Sequence, residues 1–415
     1  MVSPPTQAVI LCGGLGTRLR PLTDTVPKPM APVHGRPFLS YLVQQLKDQG
    51  VQRVLLLTGY LGETIREFFG DGTGFGVGIA YSAGPTDWET GRRLWETRAA
   101  LDPTFLLLYA DNYVPFRLER LHEFHRSQGT AVTLSVQPKA KANIRLAANG
   151  RVELYDASRT APGLQFVEVG YMLVERDAML GCMDVPDASL ATTLHRLAET
   201  GGLSGMVSHD PYHSISDLQR LRLTEQYLAP KRILLIDRDG TINIRPPRAD
   251  YVKGWADFRW IEPTVEAMRR LAAHGFRFIV LSNQAGIARG TVEASAVDAV
   301  NARMRDELRL QGIDVLATYV CPHHWDAGCA CRKPAPGLFF QASEAHQLRL
   351  DRAIYVGDDP RDSQAAYNAC CESVLIGPER HGADGTVAQP AHVAATLLEL
   401  EPWIVSRYEA WESMP

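Results

Sequence analysis

Ile233-Leu234-Leu235-Ile236-Asp237-Arg238-Asp239-Gly240-Thr241-Ile242-Asn243 is the stretch from which the rest of this chain is read. Four apolar β-formers run into two aspartates separated by one residue and then a Gly-Thr turn, the pattern of a buried parallel strand ending in a loaded loop. In an open α/β sheet ligands bind beyond the carboxyl ends of the strands, so acids placed there can hold a metal and face a substrate. A carboxylate such as that of Asp237 can attack phosphorus to give an aspartyl-phosphate, while Asp239, two residues on, handles the proton of the leaving group. Taken alone the string is equally compatible with a surface turn, since Asp and Gly are ordinary turn residues.

Downstream segments favour the first reading. Residues 264 to 274 have helical apolar spacing, and Phe276-Arg277-Phe278-Ile279-Val280-Leu281 is the next strand, followed by Ser282-Asn283-Gln284-Ala285-Gly286-Ile287-Ala288-Arg289-Gly290. The Ser282 hydroxyl and Asn283 amide at a strand end can hold a phosphate oxygen by neutral hydrogen bonds. Arg332-Lys333-Pro334 comes later, and Ala353-Ile354-Tyr355-Val356-Gly357-Asp358-Asp359-Pro360-Arg361-Asp362 is a third strand with acids at its carboxyl end.

This order of elements resembles the haloacid dehalogenase superfamily of phosphatases. The resemblance implies Asp237 as nucleophile and Asp239 as general acid/base, Ser282 and Lys333 on the phosphoryl group, and Mg²⁺ held by Asp237, the Asp239 carbonyl and Asp358. Hard oxygen ligands around a phosphate suit that ion. Cys321-Pro322-His323 and Cys329-Ala330-Cys331 add three thiols and an imidazole, a tetrahedral set with no position left for substrate, and we expect structural Zn²⁺ there rather than free thiols. Closing that loop on metal would bring Arg332 and Lys333 over the site. A zinc loop of this kind occurs in D-glycero-D-manno-heptose 1,7-bisphosphate 7-phosphatases and in histidinol phosphatases. The strings from Asp237 to Asn243 and from Ser282 to Gly290 resemble the heptose enzymes more closely, whereas the short gap from His323 to Cys329 is as in the histidinol enzymes.

Upstream, Ala8-Val9-Ile10-Leu11 is a short strand running straight into Cys12-Gly13-Gly14-Leu15-Gly16-Thr17-Arg18-Leu19-Arg20. Glycines directly after a strand let the backbone approach a phosphate chain with free N–H groups. Arg18 and, in Pro27-Lys28-Pro29-Met30, Lys28 set two cations near the same strand end, where they can neutralise a breaking triphosphate. Gly13, Gly14, Gly16, Thr17, Arg18 and Leu19 with Pro27-Lys28-Pro29 resemble the signature of sugar-1-phosphate nucleotidyltransferases, and with Met30-Ala31-Pro32 they resemble D-glycero-α-D-manno-heptose 1-phosphate guanylyltransferases in particular. The resemblance implies a Rossmann-like domain, Mg²⁺ on Asp111 after the strand Phe105-Leu106-Leu107-Leu108-Tyr109, and Glu168 facing sugar hydroxyls. The residues themselves leave Asp111 as an alternative N-cap for a helix over 114 to 125. Two segments depart from the family: Glu89-Thr90-Gly91-Arg92-Arg93-Leu94 stands where a Gly-rich stretch is usual, and Tyr212-His213-Ser214-Ile215-Ser216-Asp217 where a second metal aspartate precedes Gly-Thr. Asp217 either takes that metal role or caps the next helix.

With 415 residues, 45% hydrophobic and 22% charged, the chain is long enough for two globular domains, an α/β nucleotidyltransferase-like domain over 1–229 and an α/β phosphatase domain over 230–415, joined at Ala229-Pro230-Lys231-Arg232. Residues 391 to 415 read as a terminal helix and tail. A balance of 43 basic against 47 acidic residues, without a block of like charge, gives no sign of a nucleic-acid partner. No apolar run or N-terminal leader signals a membrane, and clustered cysteines in such a chain point to metal before disulfides, so a cytoplasmic enzyme of unassigned oligomeric state is expected. Removing the 7-phosphate of a heptose bisphosphate yields the sugar 1-phosphate that a nucleotidyltransferase consumes. The expected whole is a bifunctional enzyme making GDP-heptose for bacterial surface glycans, with GTP as donor. The rival expectation is a phosphatase whose first domain only binds nucleotide or sugar.

Overall fold

The computed structural model describes residues 3–183, 189–247, 250–377 and 388–413. It divides into two compact units with the boundary between Leu228 and Ala229.

In the first unit, Gln7–Cys12 lies between Arg53–Thr58 and Thr104–Tyr109, both parallel to it. Its side chains alternate between two cores: Ala8, Ile10 and Cys12 pack on one face of the sheet and Val9 on the other. A strand covered on both faces has to be apolar throughout, which is why this segment reads as a run rather than an alternation. Among the described residues the sheet has nine strands: Val152–Tyr155, Ile144–Leu146, Phe166–Glu175, Thr104–Tyr109, Gln7–Cys12, Arg53–Thr58 and Gly78–Ala83 in that order, with Val132–Pro138 beside Phe166–Glu175 and Leu203–Val207 beyond it. Phe166–Glu175 runs antiparallel to Thr104–Tyr109, so the sheet is mixed.

Helices Phe38–Asp48 and Gly62–Phe69 bury apolar residues such as Leu42, Leu46, Ile65 and Phe69 in the first core. The helix expected over 114 to 125 instead spans Leu118–Gln128, because Asn112–Tyr113 pairs antiparallel with His213–Ser214 and Pro115 intervenes before the helical run. Asp111 therefore lies too far from the helix to cap it.

Among the described residues of the second unit six strands, all parallel, form one sheet in the order Val315–Cys321, Arg277–Asn283, Ile233–Ile236, Ile354–Gly357, Glu372–Ile376, His392–Ala394. Ile233–Ile236 sits between Arg277–Asn283 and Ile354–Gly357, with Ile236 level with both Val280 and Val356. Leu234 and Ile236 face one core, Ile233 and Leu235 the other. That register brings Asp237, Ser282 and Asp358, each just past those level residues, to one rim of the sheet. The C-terminal segment contributes the edge strand His392–Ala394 as well as the expected helix, Leu397–Glu412; residues 414–415 lie outside the described residues. Among the described residues no helix is long and apolar enough to cross a membrane.

Candidate functional site

At the rim of the parallel sheet, the Asp237 N–H donates to the Val356 carbonyl, which fixes the start of the loop. The Lys333 ammonium, 3% exposed, reaches Asp237 Oδ1 at 2.9 Å and Asp362 Oδ1 at 2.8 Å and donates to the Leu281 carbonyl at 3.0 Å. The buried Tyr355 hydroxyl also meets Lys333 Nζ and lies 3.3 Å from Asp362 Oδ1. Burial pushes the Asp237 carboxyl up to about 7, with Asp362 and Asp358 adding to the rise against the opposing pull of Lys333. For Lys333, burial works to lower the pKa, but the Asp237 and Asp362 charges win and raise it. Asp362 owes its place to a capping box: Asp359 caps helix Pro360–Asn368, and the Asp362 carboxylate returns to the Asp359 N–H at 3.2 Å through Oδ2 while Oδ1 holds the lysine.

Asp239 faces a different set of donors. Burial would raise its pKa, but the fully buried Arg238 guanidinium, which reaches its two oxygens at 2.9 to 3.2 Å, and hydrogen bonds from Asn243 Nδ2 (3.0 Å) and Gln284 Nε2 (2.6 Å) hold it below the usual carboxylate value. Gln284 Nε2 also donates to Ser282 Oγ at 2.8 Å. The Asn283 amide is engaged elsewhere than expected: its Oδ1 accepts from the Lys333 N–H and its Nδ2 donates to the Lys333 carbonyl, both at 3.1 Å. It thus fixes the backbone that carries the lysine, because a side-chain amide matches both backbone groups of one residue.

Asp237, Asp358 and Asp362 have carboxylate oxygens within 4.8 Å of one another, an oxygen set suited to Mg²⁺. Gly240 makes room for it: at φ +97°, an added Cβ would stand 2.1 Å from Asp358 Oδ2. Asp237, Asp239, Ser282, Asn283, Arg332 and Lys333 all line one open cleft of about 240 Å³.

The four predicted zinc ligands also converge. Cys321 Sγ lies 3.7 Å from Cys329 Sγ and 3.6 Å from His323 Nδ1, while Cys331 Sγ is 3.7 Å from Cys329 Sγ and 3.2 Å from His323 Nδ1. A tetrahedron built on metal–sulfur bonds of about 2.3 Å has edges of roughly 3.8 Å, so the donor set has the right size for zinc.

In the first unit Gly13, Gly14, Lys28 and Asp111 line a second cleft, of about 400 Å³. Gly16, at φ +63°, opens the turn Thr17–Leu19, and a Cβ there would lie 2.8 Å from the Lys28 Cβ, so the glycine loop and the Pro27-Lys28-Pro29 segment pack directly. Thr17 and Arg18 are exposed on that turn. Lys28 Nζ forms a short ion pair with Asp111 Oδ2. Asp217 accepts from the Arg220 N–H at 2.9 Å at the start of helix Leu218–Leu228, and among the described residues neither it nor Asp111 belongs to a cluster of potential metal ligands. Glu168 accepts from Tyr155 Oη at 3.2 Å and from Asn143 Nδ2.

Sequence reasoning missed Arg93, which lies in the departing segment. It is 5% exposed, donates to the carbonyls of Thr58 (2.7 Å) and Pro85 (2.5 Å), and lies so close under the glycine loop that a Cβ on Gly13 would be 2.4 Å from its Cζ. Asp362, Tyr355 and Arg245 were missed as well; the acid at the third turn residue of the capping box was the only signal for the first.

Residues 7–159 match the family model described as nucleotidyl transferase, and residues 232–369 match the one described as polynucleotide kinase 3 phosphatase. These matches name the two classes that the units define: a nucleotidyltransferase domain followed by a phosphatase domain of the haloacid dehalogenase type. The chain is 38% identical over 146 residues to the D-glycero-beta-D-manno-heptose-1,7-bisphosphate 7-phosphatase of Pseudomonas aeruginosa, covering 35% of this chain and 81% of that protein. It is 34% identical over 155 residues to the D-glycero-alpha-D-manno-heptose-1,7-bisphosphate 7-phosphatase of Mycobacterium tuberculosis, covering 36% of this chain and 81% of that protein. A crystal structure of the D,D-heptose 1,7-bisphosphate phosphatase from Bordetella bronchiseptica, complexed with magnesium and phosphate, is 29% identical and covers 42% of this chain and 98% of that one at a TM-score of 0.38. The chain belongs to the D-glycero-D-manno-heptose-1,7-bisphosphate 7-phosphatase family, and it carries a nucleotidyltransferase domain ahead of the phosphatase.

Proposed function

We propose that the second domain removes the 7-phosphate of D-glycero-D-manno-heptose 1,7-bisphosphate and that the first transfers GMP from GTP to the resulting heptose 1-phosphate. The observation that carries this reading is the pairing of the two domains in one chain: the family matches place a nucleotidyltransferase ahead of a heptose-bisphosphate phosphatase, and the product of the second is the acceptor type of the first. Nucleoside triphosphate and reduced thiols suit a cytoplasmic enzyme.

In the phosphatase, an Asp237 oxygen attacks the 7-phosphorus and the bond from phosphorus to the sugar oxygen breaks, with the proton for that oxygen coming from Asp239. Water then attacks the aspartyl-phosphate, Asp239 takes its proton, and inorganic phosphate leaves with Asp237 restored. The donors around Asp239 favour its ionised form, which suits the second step. Lys333 and Ser282 hold phosphoryl oxygens, Asn283 and Tyr355 hold Lys333, and Arg332 binds substrate from the cleft wall. Mg²⁺ bound by Asp237, the Asp239 carbonyl and Asp358, with Asp362 beside them, would draw charge from the phosphoryl group. Zn²⁺ on Cys321, His323, Cys329 and Cys331 would hold the loop that leads into Arg332 and Lys333.

In the first domain, Gly13, Gly14, Gly16 and Thr17 cradle the triphosphate while Arg18 and Lys28 offset its charge. Asp111, once freed from Lys28, would hold Mg²⁺, which would offset charge on the triphosphate, and Glu168 meets sugar hydroxyls. A second reading, a first domain that binds nucleotide without catalysis, is favoured by the Lys28–Asp111 ion pair together with the helix-capping role of Asp217.

The test is to incubate purified chain with each anomer of heptose 1,7-bisphosphate, Mg²⁺ and GTP, and to measure phosphate and pyrophosphate. Both products are expected, with pyrophosphate dependent on prior phosphate release. Phosphate without pyrophosphate from any nucleoside triphosphate would favour the binding-module reading, and no phosphate from either anomer would overturn the substrate assignment.

A further inference from the structure

Arg245 lies in the loop after Thr241-Ile242-Asn243 and lines the phosphatase cleft. Its Nη2 is 2.5 Å from Asp358 Oδ1, its Nε donates to the Asp239 carbonyl at 3.4 Å, and its Nη1 is 3.3 Å from Asp359 Oδ2. One guanidinium therefore bridges the Asp239 carbonyl and the Asp358 carboxylate, two of the three groups assigned above to Mg²⁺. We propose that Arg245 is a resident counter-cation of the metal pocket, which the divalent cation must displace, and that it thereby sets the enzyme's metal affinity.

Three features support this. Asp237, Asp358 and Asp362 are all buried with their oxygens close together; Lys333 pairs with Asp237 and Asp362, and Arg245 pairs with Asp358, so a cation lies against each acid of the cluster. A guanidinium and a divalent ion on the same carboxylate and carbonyl repel at a range where screening is weak, so the two occupancies exclude one another. Arg245 also has somewhere to go: Asp359 is fixed as the helix N-cap and by Arg361, which reaches its two oxygens at 2.9 and 2.8 Å, and it gives Arg245 a carboxylate to keep while it leaves Asp358. The cleft side of Arg245 is open, since a third of its side chain, 32%, is exposed.

The inference rests on the reading of Asp237, the Asp239 carbonyl and Asp358 as metal ligands, and its test separates the two. Full-length wild type, Arg245→Gln, Arg245→Lys and Asp358→Asn are stripped with chelator and titrated with MgCl₂ by calorimetry, alongside melting curves with and without Mg²⁺. In the binding that Asp358→Asn removes, Arg245→Gln is expected to be about tenfold tighter than wild type, with a lower melting temperature for the second domain only in the metal-free state. Arg245→Lys, which keeps a cation, should fall between them. Equal or weaker Mg²⁺ affinity in Arg245→Gln, with Asp358→Asn still abolishing binding, would overturn the role of Arg245 and leave the metal site standing. If neither wild type nor Arg245→Gln bound Mg²⁺ at a site sensitive to Asp358→Asn, both the metal reading and this inference would fall.

Discussion

Lys333 and Asp237 form a buried ion pair, Nζ to Oδ1 at 2.9 Å, at the rim of the parallel sheet, where Asp237 directly follows strand Ile233–Ile236. The lysine is shared with Asp362, so its removal strands two carboxylates at once. Breaking a buried pair by deleting one partner costs about 3–5 kcal/mol. Lys333→Ala should lower the urea stability of the second domain by that order and reduce phosphate release at least about a thousandfold, a loss of roughly 4 kcal/mol in barrier lowering. Pyrophosphate release by the first domain from supplied heptose 1-phosphate should be unchanged.

The pH dependence of the metal-free protein should carry the signature of Asp237. Its folded pKa of about 7 lies above that of an unfolded aspartate, so the native state binds the proton more tightly between about pH 4 and 7. Its contribution is present in full below the unfolded value and is lost as pH rises through the folded one. In chelator, the melting temperature of wild type minus that of Asp237→Asn should fall as pH is raised from 4 to 7. A flat difference would show that the burial of Asp237 is not coupled to stability.

Gly240→Ala tests the room behind the acids. An added methyl meets Asp358 Oδ2 at 2.1 Å on a backbone at φ +97°, so both the carboxylate and the turn must shift. The backbone strain alone is worth about 1–3 kcal/mol. We expect folded protein with phosphate release reduced at least tenfold and weakened Mg²⁺ binding; wild-type values would mean that the turn relaxes freely.

The cysteine cluster predicts about one zinc per chain by metal analysis. Cys329→Ser should lower zinc content and the melting temperature of the second domain, and reduce phosphate release by way of Arg332 and Lys333, while nucleotide binding by the first domain persists. Full zinc retention in a Cys329→Ser, Cys331→Ser double variant would disprove the site.

Asp111→Asn and Asp237→Asn should separate the two activities. Asp237→Asn should abolish phosphate release yet leave pyrophosphate release from supplied heptose 1-phosphate intact; Asp111→Asn should do the reverse. If Asp111→Asn retained pyrophosphate release, Asp111 would have no part in holding metal.

Much of this was legible without coordinates because consecutive residues encode it. A buried parallel strand is an apolar run, and whatever follows it stands at the rim, so Asp237, Ser282 and Asp358 could be placed together from their positions after Ile236, Leu281 and Gly357. The spacing of Cys321, His323, Cys329 and Cys331 likewise announced a tetrahedral donor set. The helix expected over 114 to 125 was less well placed, since the pairing of Asn112–Tyr113 with His213–Ser214 delays it to Leu118 and no local propensity signals that pairing.

Asp237-Arg238-Asp239-Gly240-Thr241 thus determined, by sequence alone, that a buried strand of the second unit ends in a loop carrying paired acids at the sheet's rim. Only the tertiary structure decided how each charge is balanced: Lys333 between Asp237 and Asp362, Asp239 on Arg238 and Gln284, Asp358 on Arg245, Asn283 on the Lys333 backbone. Those pairings join residues up to more than a hundred positions apart, such as Arg245 and Asp358. They follow from burial: a charge brought to the rim of a packed sheet must find its partner in space, whatever its distance along the chain.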